Sequence, residues 1–315
     1  MQNTSKLIYT DGPDWFWATG IRVSDPHFLY VDKNGKSHAL VGALEYDIAR
    51  TRSKIDYVYS REDMQKMLQD TPVNLVNCIT YLHQTYGQGA LLVAEDFPAF
   101  LMQKLIEAEC DIAVADGLIF PERMQKTAAE IEHLAAAQKL NELGFTRVED
   151  LLNAAEIAPD NKLMWQNAPL TSEVLQTEMN TVLAQAGAIH FSDGPICAGG
   201  GQGAIPHEHG SGQLYAHELI VVDSFPQHKN NYYGDLTRTY VKGTASNWQQ
   251  KVYRTVLGAQ ELALNLVKPE AQLSQIQSEV VTYFKDHGFE NGRTCLLYTS
   301  PSPRDQRGSR MPSSA

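Results

Sequence analysis

No stretch of this 315-residue sequence stays apolar for the ~20 residues that a membrane-spanning helix needs. Its first residues, MQNTSKLIYTDG, hold no apolar core of a secretory signal. Cysteine is scarce: Cys78, Cys110, Cys197 and Cys295 are far apart, with no CxxC pair. That pattern excludes a disulfide framework and a zinc knuckle and leaves buried or incidental thiols in a reducing compartment. Positive charge is also short, with 26 Lys and Arg against 37 Asp and Glu and a net charge of −11. An acidic surface argues against nucleic acid and anionic membranes as partners. The expected location is cytoplasmic.

The most informative segment reads VVDSFPQHKNNYYGDLTRTYVKG. An apolar run at residues 219–222 leads into Asp223. A turn-rich link with Pro226, Lys229, Asn230 and Asn231 follows, and Asp235 opens a β-rich run at residues 236–241. Two such strands form a hairpin-like pair with the carboxylates facing each other near its open end. Carboxylates held close together need a cation between them, or one must take up a proton. The spacing by itself favours two ordinary turn aspartates, because Asp is common at loop ends. Thr237 and Thr239 share the Asp235 face of a strand, where a hydroxyl can orient a ligating carboxylate or simply serve β-propensity. Arg238 points the other way. Upstream, His207 and His209 flank Glu208 in a Gly-rich loop; His-x-His alone is a weak metal signal. His133 and His287 read as structural.

The order Asp, polar link, Gly-Asp-Leu-Thr-Arg-Thr resembles the pita-bread (M24) metallopeptidase family, which contains methionine aminopeptidases, Xaa-Pro aminopeptidases, prolidases and creatinase. The segment Gly200-Gly-Gln-Gly-Ala-Ile-Pro-His207 is similar to the family stretch that carries a substrate-binding histidine. The resemblance implies that Asp223 chelates one metal and that Asp235 bridges two, and Thr237 is placed to support them from behind. His207 would then hydrogen-bond substrate or the tetrahedral intermediate. It implies two divalent ions drawn from Mn, Co, Zn or Fe, a metal-bridging hydroxide, and a peptide substrate cleaved at an N-terminal or Xaa-Pro bond. Two departures stand out. The link between the aspartates is about one residue longer than usual, a small change for a surface turn. His217 occupies the place of a turn glycine.

The same resemblance calls for a further His in a Gly-His-Gly-like segment and two later Glu. No His follows His287, and the later acids are Glu290 and Asp305. From Thr294 the sequence is rich in Pro, Ser and Arg without helix or strand periodicity. It reads as translated read-through, so the expectation is a truncated, inactive fragment of a metallohydrolase. The alternatives are a catalytically dead binding module on the same fold, or a creatinase-like, metal-free amidinohydrolase, which the two aspartates argue against.

The expected fold class is an α/β creatinase-like N-terminal domain, residues 1–118, then an incomplete α+β pita-bread catalytic domain, residues 119–293, then a disordered tail, residues 294–315. In the first, Lys33-Asn-Gly-Lys36 predicts a tight hairpin, because Asn-Gly accepts positive φ. A helix is expected from Tyr46, another over residues 97–108, and strands over 90–94 and 111–115. Trp15, Phe16 and Trp17 read as a core cluster rather than a pocket rim. The N-terminal domain is weakly similar to one that assists dimerisation, so a homodimer is the implied assembly. In the second, Arg123, Lys126 and Glu130 are expected on one helix, a landmark of the family's first catalytic helix. Residues 145–170 read as a short helix and a loop. A helix capped by Thr171 or Ser172, a strand over residues 189–192, and helices over 247–267 and 273–287 complete the reading.

Overall fold

A computed structural model describes residues 4–190 and 194–289. The chain divides into two compact units between Gln125 and Lys126.

The first unit is built on a six-stranded sheet. Its strands are β1 (Lys6–Thr10), β2 (His27–Val31), β3 (Ser37–Leu40), β4 (Tyr57–Tyr59), β5 (Leu91–Val93) and β6 (Ile112–Val114), in the order β4-β3-β2-β1-β5-β6. The β1–β2 and β2–β3 pairs are antiparallel; the others are parallel. Helices α1 (Pro13–Thr19), α2 (Tyr46–Arg52), α3 (Arg61–Leu68), α4 (Leu75–Tyr86) and α5 (Ala99–Glu107) accompany the sheet. Side chains of a strand alternate between its faces. Leu7, Phe28 and Tyr30 therefore join Met64, Ile79, Leu82 and Leu105 in one core. Ile8 and Leu29 join Trp15, Ala49 and Phe120 in another. Trp15 is fully buried, as expected of a core residue. The predicted hairpin is present: the Asp32 carboxylate accepts the Asn34 and Lys36 amides at 2.7 and 2.8 Å, and Gly35 has φ +80°.

The second unit begins with α6 (Ala128–Ala154), followed by β7 (Glu156–Ile157), β8 (Leu163–Trp165), β9 (Ala168–Pro169), α7 (Ser172–Gln185), β10 (Ala188–His190) and β11 (Ile196–Gly199). Then come β12 (Leu219–Ser224), β13 (Gln227–His228), β14 (Leu236–Val241), α8 (Asn247–Leu266) and α9 (Leu273–Asp286). Two expectations are corrected. Arg123, Lys126 and Glu130 do not share a helix. Thr127 and Glu130 form a reciprocal capping box that starts α6 at Ala128, while Arg123 lies in the 3₁₀ turn Pro121–Met124 and pairs with Asp14. Residues 145–154 are not a separate short helix. The helix runs through Gly144, where a Cβ would stand 2.8 Å from Met179 of α7, so the glycine marks a close helix approach rather than a break. Residues 155–170 hold the small three-stranded β7-β8-β9 sheet and its turns, not plain loop. The expected tail, with Cys295, lies outside the described residues, as do Phe191 and Ser192 at the end of the strand expected over 189–192.

Cys78, Cys110 and Cys197 are free, buried thiols; burial pushes Cys78 up to about 11 and Cys197 up to about 12. The first unit also holds an acid-sensitive clasp. Asp56 accepts from Lys36 Nζ at 2.7 Å and from the amide and hydroxyl of Ser37 at 2.9 Å each. Burial alone would raise its pKa, but these bonds bring it down from 3.8 to about 2. A depressed carboxyl stabilises the fold above its unfolded value and ceases to do so as pH falls through the folded one. Hydrogen exchange of the β3–β4 amides should therefore accelerate as pH drops from 3.8 towards about 2, after correction for intrinsic exchange. Asp56→Asn should flatten that response, and an unchanged acid profile in the variant would refute the clasp.

Candidate metal-binding site

The site rests on the three-stranded antiparallel sheet β11-β12-β14. β12 alternates, with Ile220, Val222 and Ser224 buried and Leu219, Val221 and Asp223 on the other face. Its register with β14 sets Asp223 opposite Thr237 and Val221 opposite Thr239. Opposed residues share a face, so Asp223, Thr237 and Thr239 lie together. Asp235 lies two residues before Thr237 and one before β14 begins, just outside the paired register. Thr237 Oγ1 donates to Asp223 Oδ1 at 2.7 Å. On the far side of β12, Ile196 of β11 pairs with Asp223.

The link between the aspartates is itself a miniature hairpin. The His228 amide donates to Tyr232 O, and the Asn231 amide to His228 O, with Asn231 at φ +71°. His228 Nδ1 accepts the Asn230 amide at 3.2 Å, so this ring serves the turn. β13 pairs with β10, which anchors the turn to the end of α7. The Gly234 amide then donates to Pro226 O at 3.0 Å and brings the chain back for Asp235.

His207 follows the 3₁₀ turn Gly200–Ala204 in an exposed loop, with φ +62°. That turn lies over the carboxylate face: a Cβ on Gly203 would stand 3.0 Å from Val221. The loop is tied at several points. Gln202 and Ser211 exchange side-chain and backbone hydrogen bonds, and Gln176 of α7 donates to His209 O at 2.7 Å. His209 O also accepts the Cys197 amide, so His209 contributes its carbonyl to the scaffold. Gly210, at φ +84°, sits where a Cβ would meet Cys197 O. His217 is also left-handed, at φ +66°, which accounts for the turn glycine expected there. Its Nδ1 accepts the Thr244 amide at 2.8 Å.

Burial holds the Asp223 carboxyl above its ordinary value, against the hydrogen bonds from Thr237 and the Ser224 backbone and against the charge of His207. The structure therefore brings His207, Asp223 and Thr237 together, with Asp235 at the entry to the strand that carries Thr237. A half-buried carboxylate whose charge is disfavoured, beside a second one, fits a hard divalent cation, which would favour the charged form. Among the described residues no three His, Cys, Asp or Glu side chains converge into a group that could hold a metal ion.

A sequence profile of metallopeptidase family M24 matches residues 132–300, more than half of the chain. The chain belongs to this family. An Xaa-Pro dipeptidase of Pyrococcus furiosus is 23% identical over 264 residues, covering 82% of this chain and 67% of that protein. The fold is that of solved relatives. A Pyrococcus horikoshii prolidase superposes with a TM-score of 0.71 at 20% identity, over 91% of this chain and 74% of the other. An Xaa-Pro dipeptidase of Bacillus anthracis gives 0.75 at 16% identity, over the same shares. The M24 chain is thus an α/β unit followed by pita-bread elements, and the family implies divalent metal cofactors.

Sequence reasoning missed Gln176 and Gln138, whose side chains bind backbone groups of distant segments and leave no local pattern. Gln138 of α6 accepts the Asp235 amide at 3.2 Å.

The raised Asp223 carboxyl yields a test. In the absence of divalent cations the folded state loses stability as pH rises from the unfolded value, 3.8, through the higher folded one. Asp223→Asn removes that cost while keeping an acceptor for Thr237. The variant should melt a few degrees higher than wild type at pH 7, and the two should converge below pH 3.8. Identical melting at pH 7 would count against a carboxylate strained by burial.

Proposed function

We propose that this chain carries part of the active centre of a metal-dependent exopeptidase that cleaves an N-terminal or Xaa-Pro peptide bond. The observation that carries this reading is Asp223 on β12, bonded by Thr237 of β14 and facing the charge of His207, with Asp235 at the entry to β14. The names of the relatives, Xaa-Pro dipeptidase and prolidase, support the proline preference.

In this reading Asp223 and Asp235 hold divalent ions and Thr237 fixes the rotamer of Asp223. Two ions would make Asp235 the shared ligand. Bound divalent ions supply Lewis acidity and activate water near neutral pH. His207, on the exposed loop above the carboxylates, donates a hydrogen bond to the carbonyl oxygen of the scissile peptide as negative charge develops on it. The ties from Gln176 and Gln202 keep that loop in place, so the donor is oriented before substrate arrives. Mn is the first metal to try, and Co, Zn and Fe suit the same oxygen-rich donors. The peptide is the partner, and a homodimer in the cytoplasm is the proposed setting. The rival reading is a binding module without turnover. Its support is the lack of a third ligand among the described residues. A metal-free amidinohydrolase would leave the paired carboxylates without a role.

Two outcomes follow. The 315-residue chain by itself should bind Mn²⁺ weakly and release no amino acid from Xaa-Pro peptides, because two carboxylates leave the ions under-coordinated. Robust metal-dependent cleavage by this chain would overturn that. In a form of the protein that adds the further His and Glu ligands, Asp235→Asn should cost more metal and more rate than Asp223→Asn. His207→Ala should keep the metal while lowering kcat about 10²-fold, as loss of a single oxyanion donor does. Elemental analysis beside kinetics on Xaa-Pro peptides reads both. Full occupancy and rate in Asp235→Asn would reduce the pair to turn residues.

A further inference from the structure

The Asp235 amide stands one residue before β14 begins, so no strand ladder receives it. Its partner comes instead from α6, through Gln138 Oε1 at 3.2 Å. The approach to Asp235 is laid along one stripe of the same helix. Tyr232 donates to Glu130 at 3.1 Å, and Asn230 Nδ2 donates to His133 O at 3.0 Å. Gly234 then sits so close that a Cβ would stand 2.6 Å from Ala137 O and 2.8 Å from Asn141 Nδ2. Residues 130, 133, 137 and 141 recur at the three- and four-residue spacing of a single helix face. Asn141 is wholly buried in this contact, and neither of its amide atoms is hydrogen-bonded to protein. A buried amide kept at that cost under a turn, with a glycine that cannot be widened, marks a place where geometry outweighs stability.

We propose that Gln138 is a positioning residue for the Asp235 carboxylate, and that the close contact of Gly234 with α6 sets the height of that carboxylate above the sheet. The proposal rests on the metal reading above. Fixing the Asp235 amide fixes the φ of Asp235 and so the direction of its side chain. A carboxylate left to swing would meet a divalent ion less often in ligating geometry, and affinity would drop without loss of the ligand itself.

The test uses the 315-residue chain, Mn²⁺ as the probe, a water-proton relaxation titration, and amide exchange at single residues. Gln138→Leu removes the acceptor. It should speed exchange of the Asp235 amide about tenfold and weaken Mn²⁺ binding about five- to tenfold, the scale of one lost hydrogen bond. Exchange in β12 should stay at the wild-type rate. Gln138→Glu keeps an acceptor oxygen and should restore the protection of Asp235. Gly234→Ala should lift the turn from α6 and repeat the Gln138→Leu phenotype. If Gln138→Leu leaves Mn²⁺ affinity at wild type while Asp235→Asn lowers it, this proposal falls and the metal reading stands. Exchange that rises equally across the whole sheet would assign Gln138 a structural role only and overturn the proposal too. Equal Mn²⁺ uptake by wild type and Asp235→Asn would sink the metal reading and the proposal with it.

Discussion

The antiparallel register between β12 and β14 is the constraint on which the candidate site depends. Side chains in a strand repeat with period two, so a slip of one residue would send Asp223 into the core and bring Val222 out in its place. The buried row Ile220, Val222 and Ser224 opposes such a slip, because each would have to leave the core. The exposed row gains its character from the same register. Thr237 meets Asp223 because Leu236 meets Ser224. Packing on one face thus determines chemistry on the other.

The long helix α6 does for Asp235 what the sheet does for Asp223. At 1.5 Å per residue its 27 residues span roughly 40 Å. Along that length it bonds Asn230, Tyr232, Asp235, Tyr240 and Lys242. Each of the two aspartates is therefore held by a different kind of force, one by strand pairing and the other by helix side chains. The Thr127–Glu130 box that starts the helix belongs to this arrangement. Burial alone would raise the Glu130 carboxyl, but the Thr127 bonds, the Tyr232 hydroxyl and the Lys126 charge hold it below its usual value.

Much of this was legible in the sequence, for identifiable reasons. Asp223 and Asp235 could be placed because an apolar run and a β-rich run flank a turn-rich link, and those are local signals. The hairpin at Asn34-Gly35 and the capped start of α7 followed from turn and cap chemistry of the same local kind. The start of α6 differs from the charge spacing of Arg123, Lys126 and Glu130 because the Thr127–Glu130 capping pair lies inside that spacing and fixes the first turn. The continuity of α6 through residues 145–154 is not a local signal, because it depends on packing against α7, where Met179 closes on Gly144. The roles of Gln138, Gln176 and Asn141 could not be read at all. The partners of the two glutamines lie 33 to 97 residues away in the chain, and glutamine on a helix face looks the same whether it meets solvent or a strand.

The buried thiols make opening of the molecule chemically visible. The thiolate is the form that attacks alkylating reagents, and both Cys78 and Cys197 are held far from that form while packed. Each becomes reactive only when its own surroundings part. Cys197 lies in β11, directly beside the strand that carries Asp223, whereas Cys78 lies in α4 of the first unit. The rate at which each is labelled is therefore a clock for one region, and the ratio of the two rates reports which unit breathes first.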